Sequence, residues 1–144
     1  MLSDVTRVVY ASQSGAILPE LRWYEEYVVT RNRLTLERRG TMVGTQVAAG
    51  SWEIAVDPQA IADLFTALEA VDASAIQRME PVDQPDGGNT QIYAVYYAGD
   101  QALELSFDPG IEYTGGAQVT GPIDAFLGSL VLPVEARSRY KDLP

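Results

Sequence analysis

Proton transfer and charge in this sequence fall to carboxylates, tyrosines and a small set of basic residues, because twenty Asp and Glu stand against ten Lys and Arg with no histidine. Without an imidazole there is no Ser/His/Asp triad, no histidine-bound zinc and no proton shuttle near neutral pH. Cysteine is absent too, which removes disulfides and thiolate metal sites. A carboxylate-dependent hydrolase would need two carboxyls about 5–5.5 Å or about 6.5–9.5 Å apart. Glu25 and Glu26 alternate to opposite faces of one strand, and Glu26 could work with Glu104 only on neighbouring strands. Solvated strand carboxylates are the simpler reading, and the hydrolase stands as the alternative.

The remaining constellations read as turns. Asp83-Gln84-Pro85-Asp86-Gly87-Gly88-Asn89 has the composition of a calcium loop without its alternating acids or distant bidentate Glu. Ser14-Gly15 lacks the G-x-S-x-G frame of a nucleophile elbow, and Gly115-Gly116 does not open a phosphate-binding helix. The expectation is therefore no metal, no cofactor and no catalytic residue. Trp23, Tyr24 and Trp52 are explained first by sheet packing.

Charge is unevenly distributed along the chain. Of the net −10, residues 1–40 contribute +1, residues 41–136 contribute −13 and residues 137–144 contribute +2. An acidic middle repels nucleic acid and anionic membranes, whose binding needs clustered Lys and Arg. No apolar run approaches the roughly 18 residues of a membrane span. With no apolar leader after Met1, the chain reads as cytoplasmic as it stands, and as extracytoplasmic where a signal peptide has been trimmed.

The elements that must position these residues follow from periodicity. VTRVVYA (5–11) reads as a first strand, and ELRWYEEYVVT (20–30) with RLTLER (33–38) as a hairpin around Arg31-Asn32, with Asn32 suited to a positive φ. A three-residue loop over 31–33 is preferred there, because it sets Glu26 opposite Arg38 and Glu25 opposite Arg39, whereas a two-residue loop opposes Glu26 to Glu37. A fourth strand spans about 45–56, with a bulge at Gly50. Asp57 and Pro58 then open a helix with Ile61, Leu64, Phe65, Leu68 and Val71 on one stripe. Residues 72–90 read as irregular, with a helical turn near 73–78. A second helix opens at Pro122, carries Ile123, Phe126, Leu127, Leu130 and Val131 inward, and stops at Pro133.

Between the helices lies QIYAVYYAGDQALELSF (91–107), a hairpin with three tyrosines on its first strand. A two-residue loop at Gly99-Asp100 pairs Tyr96 with Leu103 and Ala94 with Leu105. That register makes Ile92, Ala94 and Tyr96 the core face and leaves Tyr93 and Tyr97 on a half-polar face available for contact. The whole is α+β: one domain over residues 1–144, with frayed tails at 1–4 and 137–144. Its antiparallel sheet has about five to six strands, with two helices packed mainly on one face.

The order of these features resembles the emfourin-type family of small bacterial domains. The resemblance rests on Ser14-Gly15 after the first strand, the hairpin, DPQAIADLFTALEAVD, the Pro85-Asp86 loop, Tyr93-x-Val95-x-Tyr97, a glycine turn and the closing Pro122 helix. It spans most of residues 5–131, with Ala16 where a second glycine is usual and residues 33–56 looking like an added strand pair. The resemblance implies an antiparallel sheet with helices and no enzymatic activity, in a family whose namesake inhibits thermolysin-like metalloproteases.

The leading expectation is thus a non-enzymatic binding module, with a metalloprotease inhibitor as one form of it and a structural self-associating domain as a further alternative. The candidate binding residues are Ser14, Gly15, Ala16, Ile17 and Leu18 in the loop 12–20, together with Tyr93 and Tyr97. The expected partner is a protein or a second copy of the chain, as a homodimer.

Overall fold

The computed structural model describes residues 4–15, 22–40, 48–81 and 88–137. The chain runs β1 (Val5–Gln13), β2 (Trp23–Thr30), β3 (Arg33–Gly40), β4 (Gly50–Glu53), α1 (Pro58–Glu69), β5 (Gln77–Met79), β6 (Thr90–Tyr97), β7 (Gln101–Phe107), β8 (Glu112–Thr114) and α2 (Ala117–Gly128). Six strands form an antiparallel sheet in the order β4-β3-β2-β1-β6-β7, and β5 pairs with β8 in a separate two-stranded ribbon. The fold is α+β. None of the described helices is long and apolar enough to cross a membrane.

Helix α1 forms where its capping chemistry places it. The Asp57 carboxylate accepts the Gln59 N–H at 2.9 Å, Pro58 occupies the first turn, and Ile61, Leu64, Phe65 and Leu68 are buried. Helix α2 differs from expectation. It starts at Ala117 rather than Pro122, ends at Gly128, and buries Val119, Ile123 and Phe126. Its first turn is closed by tight bonds from Gln118 N–H to Gly115 O and Val119 N–H to Gly116 O, so the missing N–H of Pro122 costs one later bond within an already nucleated helix. Because the helix stops at Gly128, Val131 does not continue the stripe and is 77% exposed. Of the residues in the expected tails only Asp4 and Arg137 are described: Asp4 O accepts Ala98 N–H at 2.8 Å, and Arg137 Nε donates to Leu132 O at 3.0 Å.

Both hairpins have the opposite loop length to the one expected. Between β2 and β3 the turn has two residues: Thr30 pairs with Arg33, Glu26 with Glu37 and Glu25 with Arg38. Asn32 is not left-handed, since Asp100 alone among the described non-glycine residues has a positive φ. What fixes this register is burial. Trp23, Tyr27, Val29, Leu34 and Leu36 all face the core, and Glu25 and Arg38 share that face as a salt bridge of 2.9 Å. The Glu26/Glu37 opposition is relieved locally, because Tyr24 OH donates to Glu26 at 2.6 Å and Arg39 holds Glu37 at 3.2 Å. Gly50 pairs with Arg38 in an unbroken register, so no bulge lies there.

Between β6 and β7 the loop has three residues, Ala98 to Asp100, with Gly99 and Asp100 at φ of 79° and 59°. Tyr93 therefore pairs with Leu105 and Val95 with Leu103. A slip of one residue moves every side chain to the other face. Tyr93 and Tyr97, expected on a contact surface, are core residues at 4% and 3% exposure, and each phenol reaches a helix. Tyr97 OH donates to Leu68 O of α1 at 2.9 Å, and Tyr93 OH donates to Asp124 of α2 at 2.7 Å.

These burials make the fold sensitive to alkali. Burial, with the Glu69 carboxylate adding to it, pushes the Tyr97 phenol from its ordinary 10 up to about 12. Below pH 10 the stabilisation from the protonated Tyr97 is complete; between 10 and 12 the unfolded chain loses this proton first, so stability falls, and above 12 the contribution is gone. Urea midpoints measured across this range should drop with rising pH, with phenolate absorbance appearing alongside unfolding. Tyr97→Phe should lose the Leu68 bond but show a shallower alkaline decline; an unchanged slope would assign the titration elsewhere.

Candidate functional site

At the end of β1 the ladder to β2 is extended by one serine. Ser14 N–H donates to Trp23 O at 3.1 Å, and Trp23 N–H donates to Ser14 Oγ at 3.0 Å, so the hydroxyl stands in for a main-chain acceptor. Gly15 follows with its α-carbon against the Gly88 carbonyl, where a Cβ would overlap the oxygen. The two sequence features that suggested a loop site thus have structural duties: Ser14 closes the strand pair and Gly15 lets two backbones touch. Ala16, Ile17 and Leu18 lie outside the described residues.

Beside this turn the outer face of the sheet ends in a row of Gln13, Tyr24 and Arg39, which are cross-strand neighbours. The Arg39 guanidinium stacks over the Tyr24 ring at 4.5 Å while its Nε meets Glu37, and it remains 63% exposed. Arg22, exposed just before β2, also lines this region. Together with Ser14 and Gly15 they line a cleft of about 430 Å³, a size that suits a small ligand or a side chain of a partner. Among the described residues that line it there is no carboxylate. In a protein of net charge −10 the cleft therefore gathers two guanidiniums and an amide, a donor set for a carboxylate or phosphate.

The described groups of the cleft that could carry a proton are already engaged. Ser14 Oγ is occupied by the Trp23 amide. The Tyr24 phenol is pushed up to about 12 by burial and by its bond to Glu26, so it stays protonated at neutral pH. The carboxylate pairs considered from sequence do not assemble. Glu25 is turned inward to Arg38, and Glu26 is separated from Glu104 by β1 and β6, about 14 Å at ordinary strand spacing. Among the described residues no three acids gather as a metal site.

Tyr93 and Tyr97 contribute nothing to this cleft. Arg22, Tyr24 and Arg39, which do, were missed because their proximity depends on the β2/β3 register; the concentration of arginine in residues 1–40 was the available signal. Compared with protein-family models, curated proteins and solved structures, the chain matches none.

The close approach at Gly15 gives a direct test. Gly15→Ala should cost about 1–3 kcal/mol in urea unfolding, because the new methyl must displace the Gly88 backbone. A loss within about 0.5 kcal/mol, the range of neutral surface changes, would show that the segments part freely.

Proposed function

We propose that this protein is a non-enzymatic binding module that holds an anionic group of its partner, a carboxylate or phosphate, between Arg22 and Arg39. The observation that carries the reading is the cleft itself: among its described lining residues the two charged ones are both arginines, although acids outnumber bases two to one in the chain. Guanidinium forks suit such oxyanions, and Arg39 keeps donors beyond the Nε that meets Glu37. We infer further that both helices cover the tyrosine-bearing face, on the strength of the Tyr97–Leu68 and Tyr93–Asp124 bonds. The cleft then opens on the opposite, polar face, where Glu26, Glu37 and Thr35 stand.

Titration with sodium acetate and with inorganic phosphate, followed by amide resonances, should move Gly15, Arg22, Tyr24 and Arg39 ahead of the rest. The shifts should weaken as sodium chloride screens the pair. An Arg22→Gln/Arg39→Gln double variant should abolish them without loss of fold, since both side chains are at the surface. Equal shifts in that variant would remove the reading.

The inhibitor form of the module rests on the sequence motifs alone. It takes the partner to be a thermolysin-like metalloprotease, and the protein should then slow thermolysin at micromolar concentration. Absence of inhibition would discard that form and leave the acetate experiment to decide the anion-binding reading.

A further inference from the structure

The long free edge of the six-stranded sheet is β7. At its far end Tyr113 bridges one residue: Ser106 N–H donates to Tyr113 OH at 3.0 Å, and that hydroxyl donates to Ser106 O at 3.3 Å. In an antiparallel ladder the N–H and C=O of a residue point to the same side, and the side alternates along the strand. Ser106 thus turns both groups away from β6, and Glu104 and Ala102, in the same phase, do likewise. Those two residues are exposed, and among the described residues their outward groups meet no hydrogen-bonding partner. The fold closes one outward position with a tyrosine and leaves the next two open, although unpaired edge groups are a template for another strand.

Charge decides what such a strand can be. Asp100, Glu104 and Asp108 stand before, within and after β7, all exposed, and no Lys or Arg occurs between Arg78 and Arg137. A second copy pairing antiparallel about Glu104 would oppose Glu104 to Glu104 and Asp100 to Asp108, like charges at every acidic position. On the inner side Leu105 belongs to the hydrophobic cluster and the partly buried Leu103 and Phe107 pack against it, so an added strand would place alternate side chains beside them.

We propose that the β7 edge binds an extended segment of a different protein as an added strand, one that alternates Lys or Arg with apolar residues. Main-chain bonds to Ala102 and Glu104 hold it, its apolar side chains lie next to Leu103 and Leu105, and its cations face Glu104. This surface is independent of the arginine cleft.

The probe is a short unstructured peptide alternating lysine and valine, with an alternating glutamate and valine peptide as control, added to the full chain. The lysine peptide should slow hydrogen exchange of the Ala102 and Glu104 amides, and the control should not. Ala102→Pro removes an outward N–H without touching the β6 ladder and should weaken binding by about tenfold or more. Glu104→Lys should do the same and invert the preference between the two peptides. The proposal is overturned if both variants bind the lysine peptide as the parent does, or if exchange at Ala102 and Glu104 is unaffected. It is equally overturned if sedimentation shows a dimer that Ala102→Pro dissolves, because the occupant would then be a second copy.

Discussion

The structure turns on one buried guanidinium. Arg38 is 3% exposed and reaches Glu25 through two of its nitrogens, at 2.9 and 3.0 Å. It also donates to Ala136 O at 3.1 Å and, at a longer 3.4 Å, to Ala48 O, with the Trp52 ring 5.5 Å from its centre. A single side chain thereby ties β3 to β2, to the segment entering β4 and to the 3-10 turn Val134–Ala136 near the end of the chain. An ion pair taken out of water repays its desolvation only when its remaining donors are satisfied, and removing one partner typically costs about 3–5 kcal/mol. That penalty also acts on register: a shift of one residue in the β2/β3 hairpin would expose Leu34 and Leu36 and part Arg38 from Glu25.

Next to this polar anchor, aromatic side chains span the inner face. One cross-strand row reads Trp52, Leu36, Tyr27, Tyr10, Tyr93 and Leu105, from one sheet edge to the other. Tyr10 contacts Tyr93 edge-on at 5.0 Å, Tyr93 meets Phe107 at 5.7 Å, and Phe107 meets Tyr113 at 5.0 Å. Such pairs contribute beyond their buried area, but their polar tips need partners. Leu68 and Asp124 provide them for Tyr97 and Tyr93, so each of these phenols is tied to one helix. Tyr113 ends the series by spending its hydroxyl on the β7 backbone.

Much of this was legible in the sequence, and the failures share a cause. Helix α1 was readable because its cap, its proline and its apolar stripe agree. β1 and the two hairpins were readable from β-branched and aromatic runs between turn residues. Loop length was not. In the first hairpin, reasoning from exposed charge pairs chose the register that separates Glu26 from Glu37, whereas the deciding pair, Glu25 with Arg38, is buried and outweighs a surface opposition. In the second, Gly99-Asp100 has the composition of a two-residue turn, yet Ala98 joins the loop. Tyr93, Val95 and Tyr97 were correctly placed on one face, but both faces of β6 carry apolar residues, so hydrophobic alternation could not say which was inward. The turn at Ser14-Gly15 could be found from its chemistry; its arginine neighbours could not, because Tyr24 meets Arg39 only in the register that burial selects.

The segregation of charge bears on both surfaces at once. At physiological ionic strength fields decay over about 8 Å, so a charge feels its near neighbours more than the protein's total of −10. An anion entering the cleft is attracted by Arg22 and Arg39 at close range, although the molecule as a whole repels it from afar. A free anion gains only that short-range part. An anionic group carried on a net basic protein is attracted at both ranges, and a basic strand meeting Glu104 at the β7 edge gains in the same way. Taken together, the two proposed surfaces would favour a net cationic protein presenting one carboxylate or phosphate, and the association of such a partner should be faster than that of a neutral protein with the same contacts.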